Sequence, residues 1–308
     1  MPRIAYLGPE GTFSEAALLR LTTGRMLPGG PNPDGVTAIP TDSTAAALAA
    51  VRAGDADYAC VPIENSIEGS VLPTLDSLAT GTPLQIFAEL TLDVSFTIVV
   101  RDGVPAERVA TVAAFPVAAA QVRRWLADHL PAARIVPANS NAAAAADVAD
   151  GRADAGVSTA LAAQRYGLAA LASDIVDEPN ARTRFVLVGT PAPPPDRTGA
   201  DRTSVVLRLA NVPGALVSAM TELAIRDIDL TRIESRPTRT ELGTYIFFLD
   251  CVGHIDDDAV AEALKALHRR CSDVRFLGSW PTDAAAGAVP PQLDEATRWL
   301  ARLRDGKP

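Results

Sequence analysis

The chain has 308 residues, of which 48% are hydrophobic and 21% charged, and its formal net charge is −9. This length allows two domains with separate cores. The acidic balance argues against nucleic acid as a partner, because binding phosphates needs a concentrated basic surface. No apolar run approaches the ~20 residues of a membrane-spanning helix. A strand pattern that begins at Arg3 leaves no room for a signal peptide, so we expect a cytoplasmic protein with no membrane partner.

Neither a metal site nor a disulfide framework is expected. The three cysteines are odd in number and lie mostly in apolar stretches. None of the three histidines has a second ligand at metal-binding spacing. The run Asp256-Asp257-Asp258 directly precedes a helix pattern, where carboxylates cap the N-terminus and favour the helix dipole. We therefore predict that these aspartates serve a helix and bind no cation.

The chain begins with alternating strand and helix patterns. Arg3 to Leu7 is a predicted strand, and Ser14 to Leu21 is a predicted helix. Ser43 then caps an alanine-rich helix that stops at Gly54, and residues 57–61 form the next strand. This order is typical of an α/β domain.

A similar order returns later in the chain. Val109–Ala113 is a predicted strand, and Pro116 opens a helix. Ser140 or Asn141 caps a second alanine-rich helix that stops at Gly151, and Asp154–Val157 is another strand. Residues 39–57 and 136–154 share proline, cap, helix, stop and strand start at a constant shift. We predict two similar lobes with a cleft between them. Ligands of open α/β sheets bind beyond the carboxyl ends of strands, so the loops after Leu7, Val61 and Val157 are the first candidates.

A proline-rich linker separates this region from a smaller α+β unit. Pro191 to Asp201 contains three consecutive prolines and is predicted to be stiff. The elements that follow are Ser204–Leu209, Gly214–Arg226, Asp229–Pro237, Gly243–Val252, Asp258–Arg270 and Val274–Leu277. Their βαββαβ order is that of a ferredoxin-like fold. The predicted organisation is a two-lobed domain at 1–190, a linker at 191–201, a small domain at 202–281 and a tail at 282–308.

Several segments bring polar groups or glycines to the ends of predicted elements. They are Gly8–Ser14, Pro62–Val71, Asn180–Phe185, Asn211–Val217 and Glu234–Pro237. Each alone has a purely structural interpretation: the first can be a turn and helix cap, and it lacks the Gly-Lys-[Ser/Thr] of a phosphate loop. Taken together and in this order, the first three resemble the prephenate dehydratase domain. The last two resemble its ACT regulatory domain, and the resemblance covers the chain up to the tail.

The resemblance implies an α/β fold: a two-lobed catalytic domain like a type II periplasmic binding protein, followed by a ferredoxin-like βαββαβ ACT domain. The implied enzyme is a carbon–oxygen lyase of L-phenylalanine biosynthesis. It would convert prephenate to phenylpyruvate, CO2 and water, with feedback inhibition by L-phenylalanine at the ACT domain. No cofactor is expected, because aromatisation drives the reaction. The expected partners are prephenate, L-phenylalanine as allosteric effector, and further copies of the chain in a homodimer or homotetramer.

The family pattern also assigns roles in the catalytic domain. Thr183 is the family's essential hydroxyl and would donate to the departing oxygen. Arg184 can grip a carboxylate with two prongs, and Phe13 and Phe185 would pack on the substrate ring. The other substrate-binding candidates are Thr12, Glu64, Asn65, Ser66, Glu68, Ser70 and Ser158. The family often has a histidine where this chain has Phe115, so an imidazole role is absent there.

In the ACT domain, two segments are the candidate effector site. Their residues are Asn211, Pro213, Gly214, Ala215, Leu216 and Val217, and Glu234, Ser235, Arg236 and Pro237. Gly214 permits close backbone approach at a helix start, and Glu234 can accept the effector's ammonium group.

Three alternatives stay open at this stage. The chain can be a binding module, a receptor-like protein that became an amino-acid sensor. It can act on arogenate, whose side chain carries an ammonium group. The ACT domain can serve only to hold a dimer together.

Overall fold

The computed structural model describes residues 1–24, 26–28, 35–239, 242–282 and 294–307. By its packing the chain divides into two units: Met1–Thr74 with Leu90–Val186, and Leu75–Glu89 with Leu187–Pro308. The second unit thus includes a short segment from well before the predicted linker. The domain boundaries predicted from the sequence stay predictions.

The strands up to residue 189 form two sheets. They are β1 (Arg3–Leu7), β2 (Thr37–Thr41), β3 (Tyr58–Asn65), β4 (Gly69–Ser70), β5 (Gln85–Asp93), β6 (Phe96–Val100), β7 (Thr111–Ala114), β8 (Arg134–Pro137), β9 (Ala155–Ser158), β10 (Ala169–Ile175) and β11 (Arg182–Gly189). One sheet has the order β2-β1-β3-β11-β5, with β4 paired to β3, and the other has the order β10-β6-β9-β7-β8. Each contains three parallel neighbours in equivalent order, β2-β1-β3 and β8-β7-β9. The predicted two-lobed fold of the periplasmic-binding-protein type is confirmed.

Seven α-helices accompany these strands among the described residues. They are α1 (Phe13–Thr23), α2 (Thr44–Ala53), α3 (Leu72–Ala79), α4 (Pro116–Gln121), α5 (Arg123–His129), α6 (Asn141–Ala149) and α7 (Ala160–Arg165). The serine caps predicted for the alanine-rich helices are present: Ser43 accepts from Ala46 N at 3.0 Å, and Ser140 accepts from Ala143 N at 3.0 Å. The choice left open at the second cap is thereby decided for Ser140, and Asn141 is the first helical residue.

The alanines of α6 allow a close approach to the sheet. A methyl group added to Gly156 of β9 would lie 2.9 Å from the carbonyl oxygen of Ala144. Helix and strand therefore touch through backbone atoms, and a larger residue on either side would force them apart. This contact fixes the start of α6 relative to the sheet.

The ACT-like part forms a third sheet with two helices on it. Its elements are β12 (Asp201–Arg208), α8 (Ala215–Ala224), β13 (Leu230–Pro237), β14 (Tyr245–Val252), α9 (Asp258–Arg270) and β15 (Asp273–Pro281), followed by α10 (Asp294–Arg304) in the tail. The strand order β13-β14-β12-β15 is antiparallel throughout. The predicted ferredoxin-like βαββαβ order is confirmed.

One capping prediction was wrong in its detail. Asp257 occupies the N-cap of α9, but its side chain makes no capping hydrogen bond to the helix. Its carboxylate accepts instead from the backbone N–H of His254 at 2.7 Å and pairs with Arg197 at 2.9 Å. Asp257 therefore ties down the turn before the helix, while Asp258 lies in the first turn. Within the described ranges, no three His, Cys, Asp or Glu side chains cluster as a metal site, and no helix is long and apolar enough to span a membrane.

Candidate active site

A cavity of about 670 Å³ lies within the first packing unit, at the carboxyl ends of the central strands. This volume is in the usual range for small-molecule sites. Its lining includes Gly8, Pro9, Thr12, Phe13 and Ser14 after β1, Thr41 and Asp42 after β2, Pro62 on β3, Phe115 after β7, Asn139, Ser140 and Asn141 after β8, and Thr183 and Phe185 on β11. Residues from both lobes therefore contribute to one site.

The hydroxyl of Thr183 is held by Asn65. Asn65 Oδ1 accepts from the backbone N–H groups of Ile67 and Glu68, at 2.8 and 3.0 Å. This fixes the amide orientation, so Nδ2 faces Thr183 and donates to its Oγ1 at 2.8 Å. Because the Thr183 oxygen is thereby an acceptor, its own proton is left to donate elsewhere. Thr183 lines the cavity, so that proton is available to a ligand there.

Arg184 does not line the cavity, although its two neighbours do. Side chains alternate along a strand, so Thr183 and Phe185 share one face of β11 and Arg184 faces the other way. Its guanidinium is nearly buried and lies 3.0 Å from the Glu64 carboxylate. The arginine thus forms an ion pair on the opposite side of the strand. Its prediction as a direct substrate ligand is not supported by this placement and stays a prediction.

The other candidates, on β3, in the loop after it and on β9, are not among the residues that line the cavity. Ser66 donates to Asn180 O at 3.0 Å and accepts from Arg182 N at 2.9 Å, which fastens the loop to the start of β11. Ser158 is fully buried and donates to Asn141 O at 2.6 Å. Glu68 is exposed. None of these three, nor Glu64, Asn65 or Ser70, lines the cavity. Their contacts place Ser66 and Ser158 in support of the site.

Three helix N-termini contribute to the cavity lining. The first turns of α1 and α6 and the residues just before α2 all contribute to its lining. Helix N-termini favour anions through their free N–H groups and dipoles. Among the lining residues in the described part of the chain there is no lysine or arginine, and Asp42 is the one charged side chain. An anion in this cavity would therefore rest on backbone amides and neutral side chains.

Sequence reasoning missed the loops after β2 and β8. These loops contribute Thr41, Asp42, Asn139, Ser140 and Asn141 to the cavity. The signal was present in the internal repeat, since residues 39–57 and 136–154 align these two loops with each other. Two equivalent loops of facing lobes are expected at the same cleft.

The aromatic residues of the lining are fixed by packing. The Phe13 ring meets Phe96 edge to face, with centroids 5.7 Å apart. Phe185 is 2% exposed, and Phe115 packs partly on the second-lobe core. Phe115 thus brings an apolar ring to the position where the family often has a histidine.

Hydrogen bonds and ion pairs hold the loop before α1 against the second lobe. We call these contacts, made by Glu10, Gly11, Glu15, Thr159 and Arg165, the strap. Gly11 donates to Glu15 Oε2 at 2.6 Å and accepts from Thr159 Oγ1 at 2.6 Å. Arg165 of α7 pairs with the buried carboxylate of Glu15 and, at 3.0 Å, with Glu10. Gly11 has φ +86°, and a methyl group there would lie 2.9 Å from the Ala162 side chain. The strap holds the loop that supplies Thr12 and Phe13 to the cavity.

The same carboxylates act on a buried phenol. Burial, together with the neighbouring carboxylates of Glu15 and Glu10, raises the pKa of Tyr6 to about 12. Tyr6 therefore stays protonated at neutral pH and is excluded as a base.

A second, smaller cavity of about 240 Å³ lies within the ACT-like part. Its lining includes Asn211, Gly214, Ala215, Leu216 and Val217 together with Thr244, Tyr245 and Phe247 of the next hairpin. Five of the predicted effector residues are thus brought together. Pro213 and the segment Glu234–Pro237 do not line it, but that segment pairs in register with residues 245–248 of β14.

The family comparison agrees with this geometry. The prephenate dehydratase family model matches residues 4–193, and the ACT domain model matches residues 203–269. The prephenate dehydratase of Mycobacterium sp. (strain JLS) is 79% identical over 309 residues, covering 100% of this chain and 98% of the relative. The chain belongs to the prephenate dehydratase family. It is therefore an enzyme, and the alternative of a binding module without activity is not retained.

Solved structures of relatives share the fold over nearly the whole chain. The prephenate dehydratase of Arthrobacter aurescens in complex with L-Phe is 42% identical, with a TM-score of 0.86 over 98% of this chain and 99% of that one. The quorum quenching acylase GqqA is 29% identical, with a TM-score of 0.78 over 91% and 98%. The fold thus also carries a differently named activity, so the reaction must be argued from the cavity.

Breaking the strap is expected to lower the kcat of this enzyme without unfolding it. Arg165→Met removes the charged partner of the buried Glu15 carboxylate, which costs about 3–5 kcal/mol for fully buried pairs and less here because Arg165 is partly exposed. We expect kcat to fall about tenfold, since Thr12 and Phe13 lose their support. Arg165→Lys should restore most of the activity.

The control for this prediction is Arg152→Met. Arg152 pairs with two aspartates on the exposed surface of the second lobe, away from the cavity lining. Steady-state kinetics of the three variants measure kcat, and thermal melts measure their stability. Equal kcat values for Arg165→Met and Arg152→Met would show that the strap does not position the site.

Proposed function

We propose that the enzyme converts prephenate to phenylpyruvate, CO2 and water as a step of L-phenylalanine biosynthesis. The observation that carries this proposal is the Asn65–Thr183 pair, which leaves the threonine proton free to donate into the cavity. Loss of the ring carboxylate as CO2 sends an electron pair through the diene and expels the 4-hydroxyl. Hydroxide is a poor leaving group, so a positioned donor at that oxygen is the main catalytic requirement.

The cavity suits the remaining parts of prephenate. The substrate has two carboxylates, and the helix N-termini that contribute to the cavity favour anions. A neutral surrounding favours loss of the ring carboxylate as uncharged CO2. Phe13, Phe115 and Phe185 offer apolar surfaces to the ring and exclude water. The driving force is aromatisation, and no step calls for a metal or an organic cofactor.

Incubation of the purified protein with prephenate, in EDTA and without nucleotide or flavin, tests the reaction. We expect phenylpyruvate to accumulate, followed by its absorbance. A parallel incubation with arogenate, which would yield L-phenylalanine, tests the substrate. The lining carries a carboxylate at Asp42 that can meet an ammonium group, so arogenate is the specific alternative. Turnover of arogenate alone, or of neither substrate, would refute the proposal.

We further propose that L-phenylalanine binds the ACT cavity and inhibits the enzyme. The lining combines a loop entering α8, where N–H groups can hold a carboxylate, with apolar side chains of Leu216, Val217 and Phe247. The relative from Arthrobacter aurescens has been crystallised with L-Phe. Val212, Val217 and Tyr245 line this cavity and are exposed, which supports a homodimer or homotetramer built through the ACT domain.

A further inference from the structure

Helix α3 (Leu72–Ala79) contacts the active-site lining near its start and two strands of the ACT sheet further along. Near its start, the fully buried Thr74 donates its hydroxyl to Pro62 O at 2.7 Å, and Pro62 lines the active-site cavity. Two residues later, the Asp76 carboxylate accepts from Arg236 Nε and Nη2, both at 3.0 Å. The division between the packing units falls within this helix, after Thr74.

Arg236 belongs to the segment predicted as part of the effector site, but both prongs of its guanidinium are used on Asp76. The pair is well shielded, with side-chain exposures of 14% and 24%. Asp76 raises the pKa of Arg236 above its ordinary value, chiefly through this hydrogen bonding. Such two-pronged pairs fix geometry as well as charge. Arg236 is therefore a link from β13 to α3.

A second arginine of the ACT sheet holds the far end of α3. Arg275 of β15 donates to the carbonyl oxygens of Leu78, Thr80 and Gly81 at 3.1–3.2 Å. The last carbonyls of a helix have no partner within it, and a cation favours that end. Two strands of the ACT sheet thus hold one short helix of the dehydratase domain.

The effector cavity lies one strand away from this link. Tyr245 and Phe247 of β14 line the cavity, and Ile246 between them pairs in register with Arg236 of β13. A ligand that shifts the start of β14 must shift β13 with it, because the two strands share a hydrogen-bond ladder. The sequence of contacts from cavity to cavity is then β14, β13, the Arg236–Asp76 pair, α3, and the Thr74–Pro62 hydrogen bond.

We propose that α3 couples the two cavities, and that the Arg236–Asp76 pair is its regulatory link. This inference rests on the proposed inhibition by L-phenylalanine. Inhibition requires that the effector bind one arrangement of the protein more tightly than the other. The Arg236–Asp76 pair supplies a physical connection between the cavities, since a two-pronged contact passes a displacement of β13 on to α3. Asp76 touches neither cavity, so it is a positioning residue.

Asp76→Asn tests the link, because asparagine keeps the shape and removes the charge. We expect turnover without effector to stay near the wild-type value and L-phenylalanine to bind with nearly unchanged Kd by calorimetry. Inhibition at saturating effector should drop from about tenfold to less than about twofold, in line with usual coupling factors of about 5–150. Arg236→Lys, which keeps one contact, should retain partial inhibition and serves if Asp76→Asn folds poorly.

Asp147→Asn is the matched control. Asp147 is as exposed as Asp76 and also pairs with an arginine, but it lies on α6 away from the ACT sheet, so its variant should be inhibited like the wild type. Full inhibition of Asp76→Asn and Arg236→Lys would overturn the proposal. Loss of L-phenylalanine binding in Asp76→Asn would also overturn it, since the residue would then serve the effector site. A wild-type enzyme that L-phenylalanine does not inhibit would instead show that the proposed regulation is wrong.

Discussion

Thr183→Val is expected to lower kcat by about 10²–10⁴-fold, the usual contribution of a positioned proton donor. Valine has nearly the shape of threonine and lacks the hydroxyl, so KM for prephenate should change little. The cost to folding is small: Asn65 Nδ2 loses its acceptor at a half-buried position, which costs about 1 kcal/mol and a few degrees of Tm. Kinetics and thermal melts of the purified variant measure both effects.

Two companion variants separate the hydroxyl from its orientation. Thr183→Ser keeps a hydroxyl that can accept from Asn65 and should retain most of the activity. Asn65→Asp replaces the donor with an acceptor, so the Thr183 proton is drawn to the carboxylate and away from the cavity. We expect this variant to lose activity almost as severely as Thr183→Val. A Thr183→Val enzyme with wild-type kcat would disprove the catalytic assignment.

Gly214→Leu is expected to abolish inhibition by L-phenylalanine while sparing uninhibited turnover. Gly214 has φ +80° at the N-cap of α8 and lines the ACT cavity. A methyl group there meets nothing within 4 Å, so the larger leucine side chain has room to occupy ligand space. We expect the effector concentration for half inhibition to rise by at least about a hundredfold, or about 2.7 kcal/mol. Titration of the prephenate assay with L-phenylalanine gives this value.

Gly214→Ala is the control that isolates backbone strain. Any residue other than glycine is strained by about 1–2 kcal/mol in this conformation, and alanine adds that strain without filling the cavity. It should therefore weaken inhibition much less than leucine does. Unaltered inhibition of the leucine variant would place the effector elsewhere and would favour an ACT domain that only joins subunits.

Local rules predicted much of this fold. Ser43 and Ser140 cap the alanine-rich helices as their sequence context indicates, because capping depends on a few neighbouring residues. The resemblance brought Thr183 and Asn65 to attention, and their contact is direct. Arg184, the middle residue of the Thr183–Phe185 motif, is not among the cavity-lining residues, and its role as a substrate ligand stays a prediction. Because side chains alternate along a strand, the sequence alone predicts that the Arg184 side chain points to the face opposite Thr183 and Phe185.

Other features depend on contacts between distant parts of the chain. The strap joins Glu15 to Arg165, and the regulatory link joins Asp76 to Arg236. No periodicity or local pattern indicates which of the many surface charges will meet. The loops after β2 and β8 are an intermediate case, since the repeat aligns them but only the folded lobes bring them to one cavity.

The boundary between the dehydratase and ACT sequence regions does not coincide with the boundary between the two packing units. This difference affects where domains can be exchanged between related enzymes. Glu89 of β5 is buried against Trp280, whose Nε1 donates to it at 3.1 Å, and against Arg202 of β12. Gly278 of β15 passes so close to Ile86 that a methyl group would lie 2.3 Å from its carbonyl oxygen. An ACT domain exchanged between relatives at the linker would therefore pack against a β5 strand that comes from the other relative. A functional chimaera has to transfer residues 75–89 together with the regulatory sheet, as one inherited block.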